Sequence, residues 1–349
     1  MSRTRKSKSR PLRIVLLADD GSIHASDPRC ERAHGGVTDD FYQVAGALRC
    51  LGHEVVPMTF DVDVPKFVGR LRAAKPDLIF NSTEAIGDDR CAYGNIAALL
   101  DLLCIPYTGS GPTALALTMD KATTKHILQR HGVPVSESFV IRQGKFGLPA
   151  DIRFPFFVKP LHGGAKEGIT RASLVRDRQA LKRQIKHIHK TYDQPAICEE
   201  FIDGRELTLG IMGNKKLKAF PVRELVFNHT EPGSPSFFTR KVLEDKAYRD
   251  FWGLTMRDAP LSPAQRHTVV GLAQTAFRAV GLRDYGRMDI RLGLDGRFYF
   301  LEVNANPALR RPSASLIAPW GGIPYEKLIQ RVLHLALERH GRSNLLRRL

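Results

Sequence analysis

No stretch of this 349-residue chain is apolar for long enough to span a membrane. The basic N-terminus, MSRTRKSKSRPLR, is not followed by the apolar run of a secretion signal, because Ile14 to Ala18 is too short. Cysteine is scarce. The five residues (Cys30, Cys50, Cys91, Cys104 and Cys198) are odd in number and scattered, with no CxxC pair. That pattern argues against a zinc site and for reduced thiols in a cytoplasmic setting. The Walker A pattern GxxxxGK(S/T) is absent, and so is any internal repeat. Acidic residues are in the minority: 36 Asp and Glu stand against 53 Lys and Arg, a net charge of +17. Part of the surplus sits at the ends, in Arg3, Arg5, Lys6, Lys8 and Arg10 and in Arg339, Arg342, Arg347 and Arg348. No aromatic–basic interleaving or nucleic-acid motif accompanies it. The tails, 1–11 and 339–349, therefore read as solubilising segments with only nonspecific contact to polyanions.

What is present is ordinary globular material, 43% hydrophobic and 26% charged, in a length that suits two or three domains. Leu12 to Ala18, Glu54 to Thr59 and Leu78 to Asn81 read as strands. Val37 to Leu51, Val64 to Ala74 and Tyr93 to Leu103 read as helices between and after them. Strand and helix alternate, which predicts an α/β unit on a parallel sheet, with ligand contacts at the strand ends Asp19 to Ser22 and Ser82 to Glu84. Ile105 to Pro112, rich in Gly, Ser and Pro, marks a domain boundary. Further on, Met119 to His131 reads as a helix, Phe154 to Pro160 as a buried strand, Ser173 to His189 as a long basic helix and Ala196 to Phe201 as a strand. Residues 226–261 show no regular period. Pro263 to Val280 is a helix with Ser262 as its cap, and Tyr325 to Arg339 is a final helix.

The stretch YGRMDIRLGLDGRFYFLEVNANPAL (residues 285–309) reads as a hairpin turning on Asp295-Gly296. A two-residue loop sets Asp289 opposite Glu302 and Arg287 opposite Asn304. Alternation then gives a chemical face of Arg287, Asp289, Arg291, Phe300, Glu302 and Asn304. The core face carries Met288, Ile290, Leu292, Tyr299, Leu301 and Val303. Two carboxylates roughly 5 Å apart at an effective dielectric of about 20 repel by about 3 kcal/mol. Two arrangements offset this. One is a divalent cation held by the hard oxygen donors of Asp289, Glu302 and Asn304, with Arg287 beside it to hold developing negative charge. The other is a solvated charged face neutralised by Arg287 and Arg291.

Three further signals accompany the hairpin. Lys159 ends a strand just before a loop with Gly163, Gly164 and Gly168, where backbone N–H groups can approach a phosphate. The segment EEFIDGRE places Glu199, the backbone of Phe201 and Ile202, and Glu206 where they can read an adenine edge and ribose hydroxyls. Lys121 lies in the first turn of a helix, where the dipole disfavours a cation unless an anion is near. Each alone also reads as plain structure: a glycine turn, an acidic hairpin, an exposed lysine.

Taken in order, Lys121 in MDKATTK, Lys159 in FFVKPLHGGAKEG, EEFIDGRELTLG and GRMDIRLGLDGRFYFLEVNANP resemble the ATP-grasp fold of the D-alanine–D-alanine ligase group. The resemblance covers about residues 12–335. It implies a Rossmann-like N-terminal domain (12–111) followed by central (112–199) and C-terminal (200–338) ATP-grasp subdomains of α+β type. It implies a ligase that uses ATP and two magnesium ions, with manganese as a substitute, to join amino-acid-like substrates, and a homodimer. Lys121 and Lys159 would contact the phosphates, Glu199, Phe201 and Ile202 adenine, Glu206 ribose, and Asp289, Glu302 and Asn304 the metal. Arg287 would stabilise the transferring phosphoryl group. Ser313, Asp39 and Asp40 are the substrate candidates, and Lys241 or Lys246 would add a γ-phosphate contact. The chain departs from the group where paired serines are usual, at Ala165 and Lys166, and at Ala308, where glycine is usual. The ATP chemistry thus looks intact and the amino-acid pocket altered. A non-catalytic nucleotide-binding protein is the competing expectation.

Overall fold

In the computed structural model, residues 11–19, 40–87, 89–144, 147–148, 152–164, 166–228, 237–311 and 319–346 are described. Strands β1 (Arg13–Ala18), β2 (Glu54–Thr59) and β3 (Leu78–Asn81) form a parallel sheet in the order β2-β1-β3. Its central strand is buried on both faces, and alternation divides its residues between two layers. Ile14 and Leu16 pack with Phe41, Val44 and Leu48 of the helix Asp40–Cys50 and with Leu328, Val332 and Leu333 of the helix Tyr325–Arg339. Val15 and Leu17 pack with Phe67 and Leu71 of the helix Val64–Ala74 and with Ile96 and Leu100 of the helix Gly94–Leu102. The last long helix therefore completes the layer over the first sheet.

The central region is an antiparallel sheet in the order β4-β7-β5-β6, from β4 (Ser138–Ile141), β5 (Phe156–Pro160), β6 (Leu174–Val175) and β7 (Ala196–Glu200). The basic helix expected from Ser173 begins instead at Arg178. Asp177 caps it, accepting from Ala180 N at 2.7 Å, and residues 171–175 form a tight turn and β6. Leu181, Ile185 and Ile188 then lie on the sheet.

The third sheet is antiparallel, in the order β11-β10-β8-β12-β13 with β9 beside β8. Its strands are β8 (Gly204–Gly213), β9 (Leu217–Ala219), β10 (Arg223–Phe227), β11 (Leu254–Asp258), β12 (Tyr285–Gly293) and β13 (Phe298–Ala305). The stretch without a clear period thus contributes β10 and β11 and two one-turn helices, Arg240–Glu244 and Lys246–Phe251. These elements are too short for a period to develop. Their starts are set by Thr239 and Asp245, whose side chains accept from Val242 N and Tyr248 N. The helix Pro263–Ala279 carries a full capping box, Ser262 with Gln265. No helix among the described residues is long and apolar enough to cross a membrane.

A polar clasp joins the first sheet region to the third. Asp284, fully buried, accepts from Gly109 N at 2.8 Å, Asn214 Nδ2 at 3.0 Å and Arg339 Nη2 at 3.0 Å. Arg339 Nη2 also donates to Tyr107 O at 2.7 Å, and Asn306 Oδ1 accepts from Ser110 N at 2.7 Å.

Candidate active site

The β12–β13 hairpin pairs Arg287 with Asn304 and Asp289 with Glu302, as expected, but by a different route. Nearer the turn Ile290 faces Phe300, Arg291 faces Tyr299, and Gly293 N donates to Arg297 O at 2.9 Å. The turn therefore holds three residues, 294–296. A two-residue type I′ loop needs positive φ at both central positions. Only Gly296 has it; Asp295 instead folds its carboxylate onto Arg297 N at 3.1 Å. A β-bulge opposite Asp289 and Ile290 then restores the register. The bulge corrects the expected faces. Phe300 is in the core, Tyr299 donates its hydroxyl to Asp295, and Leu301 joins Glu302 in the wall of a cleft.

The charged face is not solvated: Arg287 is 9% and Asp289 7% exposed. Arg287 donates Nε to Asp289 Oδ1 at 2.8 Å and Nη2 to Oδ2 at 3.1 Å, a two-point pair. Thr208 Oγ1 and Asn304 Nδ2 also donate to Asp289, each at 3.3 Å, and Lys166 Nζ lies 3.6 Å from Oδ2. Burial alone would raise the Asp289 carboxyl, but Arg287 and Lys166 outweigh it and hold it below the usual carboxylate range. Arg291, the other expected neutraliser, turns away to Glu206 at 3.2 Å and lies over the Phe201 ring at 5.1 Å. Glu302 accepts no hydrogen bond among the described residues. Nowhere among those residues do three or more His, Cys, Asp or Glu side chains converge. Two carboxylates and an amide oxygen are nonetheless a donor set that fits magnesium, which keeps waters and substrate phosphates as its other ligands.

Glu302 and Leu301 form one side of an open cleft. Lys121, Lys159 and Lys166 line it, with Glu199, Phe201, Ile202 and Glu206. Lys121 donates to Gly163 O at 2.8 Å and Leu161 O at 3.3 Å, and burial pushes its ammonium down to about 8. Glu199, 2% exposed, meets Lys159 Nζ at 3.0 Å and Lys125 Nζ at 3.5 Å. Burial would raise its carboxyl; the two lysines prevail and lower it. Lys125 was not singled out from sequence, although it follows Lys121 by four residues on one helix and so shares its face. At the other end, Phe157 packs edge-on to Phe237 at 4.9 Å and stacks near Phe201 at 6.3 Å, giving an apolar slot. Glu206 accepts from Phe238 N at 3.2 Å as well as from Arg291.

A second cleft, of about 830 Å³, opens on the far side of Gly164, which lines both. Arg287, Asn304 and Asn306 form its floor, and Glu84, Arg90 and Tyr93 come from the first sheet region. Asp19, at the end of β1, accepts from Glu84 N at 2.6 Å and Ala85 N at 3.1 Å. Arg90 Nη1 then reaches Glu84 Oε2 at 3.2 Å. Of the expected strand-end residues, Glu84 lines this cleft and Asp19 holds its backbone, while residues 20–22 lie outside the described residues. Asp40 begins a helix, while Asp39, Ser313 and the tail residues 1–10 and 347–349 lie outside the described residues. Lys241 sits over the Tyr248 ring at 4.7 Å and Lys246 pairs with Asp250; neither lines the clefts.

Comparison with known proteins bears on this arrangement. The family model described as D-ala D-ala ligase C-terminus matches residues 127–334. A D-alanine–D-alanine ligase of Aquifex aeolicus is 32% identical over 294 residues, covering 83% of this chain and 92% of that protein. One from Rhodospirillum rubrum is 31% identical over 265 residues, covering 75% and 80%. Among solved structures, a D-alanine–D-alanine ligase from Bacillus anthracis complexed with ATP superposes with a TM-score of 0.69 over 95% of this chain and 99% of that one, at 20% identity. The chain belongs to the D-alanine–D-alanine ligase family of ATP-grasp enzymes.

Proposed function

We propose that the protein is an ATP-dependent carboxylate–amine ligase that joins an amino acid to a second amino acid or to a small amine or peptide through an acyl phosphate. The observation that carries this reading is the junction of the two clefts. Gly164 borders both, and Arg287 and Asn304 stand one pleat from Asp289 and Glu302. In this reading the first cleft takes ATP. The apolar slot receives adenine beside the Phe201–Ile202 backbone, Glu206 takes the ribose, and Lys121 and Lys159 meet the phosphates. Asp289, Glu302 and Asn304 would hold magnesium, as two ions, with manganese as a substitute; when bound it screens charge on the terminal phosphates.

A substrate carboxylate in the second cleft attacks the γ-phosphorus, and ADP leaves. An amine then attacks the acyl carbon, phosphate leaves, and the amide remains after loss of a proton. Arg287, aimed by its two-point pair with Asp289, holds the negative charge that develops in both steps. Glu84 and Arg90 offer an ammonium acceptor and a carboxylate donor for an amino acid.

The test is ADP release from ATP and magnesium across a panel of amino acids and dipeptides. Release that depends on an amine and a carboxylate together, and that is lost in a folded Glu302→Gln variant, supports the ligase. ATP binding with no stimulation by any pair marks a non-catalytic nucleotide-binding protein instead.

A further inference from the structure

Three lysines line the first cleft, and two of them have close polar partners within the protein while keeping donors for a ligand. Lys121 donates to two backbone carbonyls, and Lys159 pairs with Glu199 at 3.0 Å. Lys166 differs. Its side chain is 13% exposed, yet its ammonium makes no hydrogen bond among the described residues. The nearest anion, Asp289 Oδ2, is 3.6 Å away, and Asp289 already accepts from Arg287, Thr208 and Asn304. The Lys166 contact is thus a charge attraction without a bond, next to the two-point grip of Arg287. Burial would push the ammonium down, but Asp289, Glu206 and Glu302 outweigh it and keep the group charged. The Phe238 ring lies 5.5 Å from Nζ, yet the three donors make no hydrogen bond among the described residues.

The backbone adds to this. Lys166 has φ +59, a left-handed conformation that residues with a side chain seldom adopt. It sits in the glycine-bearing loop, between Gly164 in the wall of both clefts and Gly168 at φ +69. The loop brings a cation into the space between Lys159 and Asp289, where the resemblance leads one to expect a serine. The other lysines considered for a terminal phosphate, Lys241 and Lys246, point elsewhere.

We infer that Lys166 is a third polyphosphate-binding cation of this cleft, a loop-borne ammonium that rests on Asp289 and turns its donors to the phosphates of a nucleoside triphosphate. The inference rests on the reading of the first cleft as the ATP site.

The experiment is equilibrium binding of ATP and of adenosine to the wild-type chain, Lys166→Met and Lys166→Ser, each checked for a wild-type circular dichroism spectrum. Loss of a charge-assisted phosphate bond weakens ATP by roughly tenfold to a hundredfold and leaves adenosine unchanged. ATP affinity kept in the variants, or ATP and adenosine weakened by the same factor, overturns the role given to Lys166. If Lys166→Met does not fold, the serine variant, which keeps a polar side chain, decides. Failure of the wild-type chain to bind ATP at all overturns the nucleotide reading instead, so the two failures are told apart.

Discussion

Arg287 and Asp289 stand two residues apart on β12 and are locked together by a pair of hydrogen bonds, Nε to Oδ1 at 2.8 Å and Nη2 to Oδ2 at 3.1 Å. Residues at i and i+2 share a face of a strand, so the pair needs no other element to form. It orients a buried guanidinium toward the second cleft. Lysine keeps the charge but not the fork. Arg287→Lys is expected to lower amine-dependent ADP release by at least about a hundredfold while ATP affinity changes little. Steady-state kinetics beside ATP titration measures both, and near-normal turnover would contradict the role of the fork.

Lys121 gives a pH prediction. Its ammonium is pushed by burial from 10.5 down to about 8, so between those values the unfolded chain binds more protons than the folded one. Stability contributed by this group therefore rises with pH from about 8 to 10.5, the reverse of a lysine that has gained a partner. Phosphate binding needs the proton, so ATP affinity is expected to fall as pH climbs above about 8, with proton uptake on binding. Calorimetry from pH 7 to 9.5 in buffers of different ionisation enthalpy tests this, and Lys121→Arg should flatten the profile.

Glu84 and Arg90 face the second cleft as a half-exposed ion pair at 3.2 Å. If they receive the amino acid, Glu84→Gln and Arg90→Met each raise the KM for the amino-acid substrate by about tenfold and leave the KM for ATP within twofold. Equal rises in both constants would point to a disturbed fold rather than a substrate contact.

The clasp at Asp284 is a stability device. Removing Arg339 leaves a fully buried carboxylate with neutral donors only. Arg339→Met is expected to cost about 3 kcal/mol, read as a lower urea midpoint, and Asp284→Asn in the same chain should recover part of it. Additive losses from the two changes would show that they do not act as a pair.

The sequence announced the elements that are long and periodic and the residues that chemistry repeats. The parallel sheet, the Ser262 cap and the helix Tyr325–Arg339 are where pattern put them, although a one-turn helix, Ser343–Leu346, follows the helix read as the last. Asp289 and Glu302 are opposed as read, yet only because a longer turn and a bulge cancel. Alternation has no way to register such a pair of one-residue shifts, and Phe300 and Leu301 exchanged faces as a result. Lys125 and Lys166 were harder still. Each gains its meaning from a partner far along the chain, Glu199 for one and Asp289 for the other. Short helices after residue 239 carry too few turns to be seen at all.

The helix Tyr325–Arg339 lies over Ile14 and Leu16, more than 300 positions away along the chain. On the ribosome, then, the earliest sheet has only the Asp40–Cys50 helix to shield that greasy side until almost everything else has been translated. Chaperone capture during synthesis, and the damage done by a late stop codon, would both be felt at that surface first.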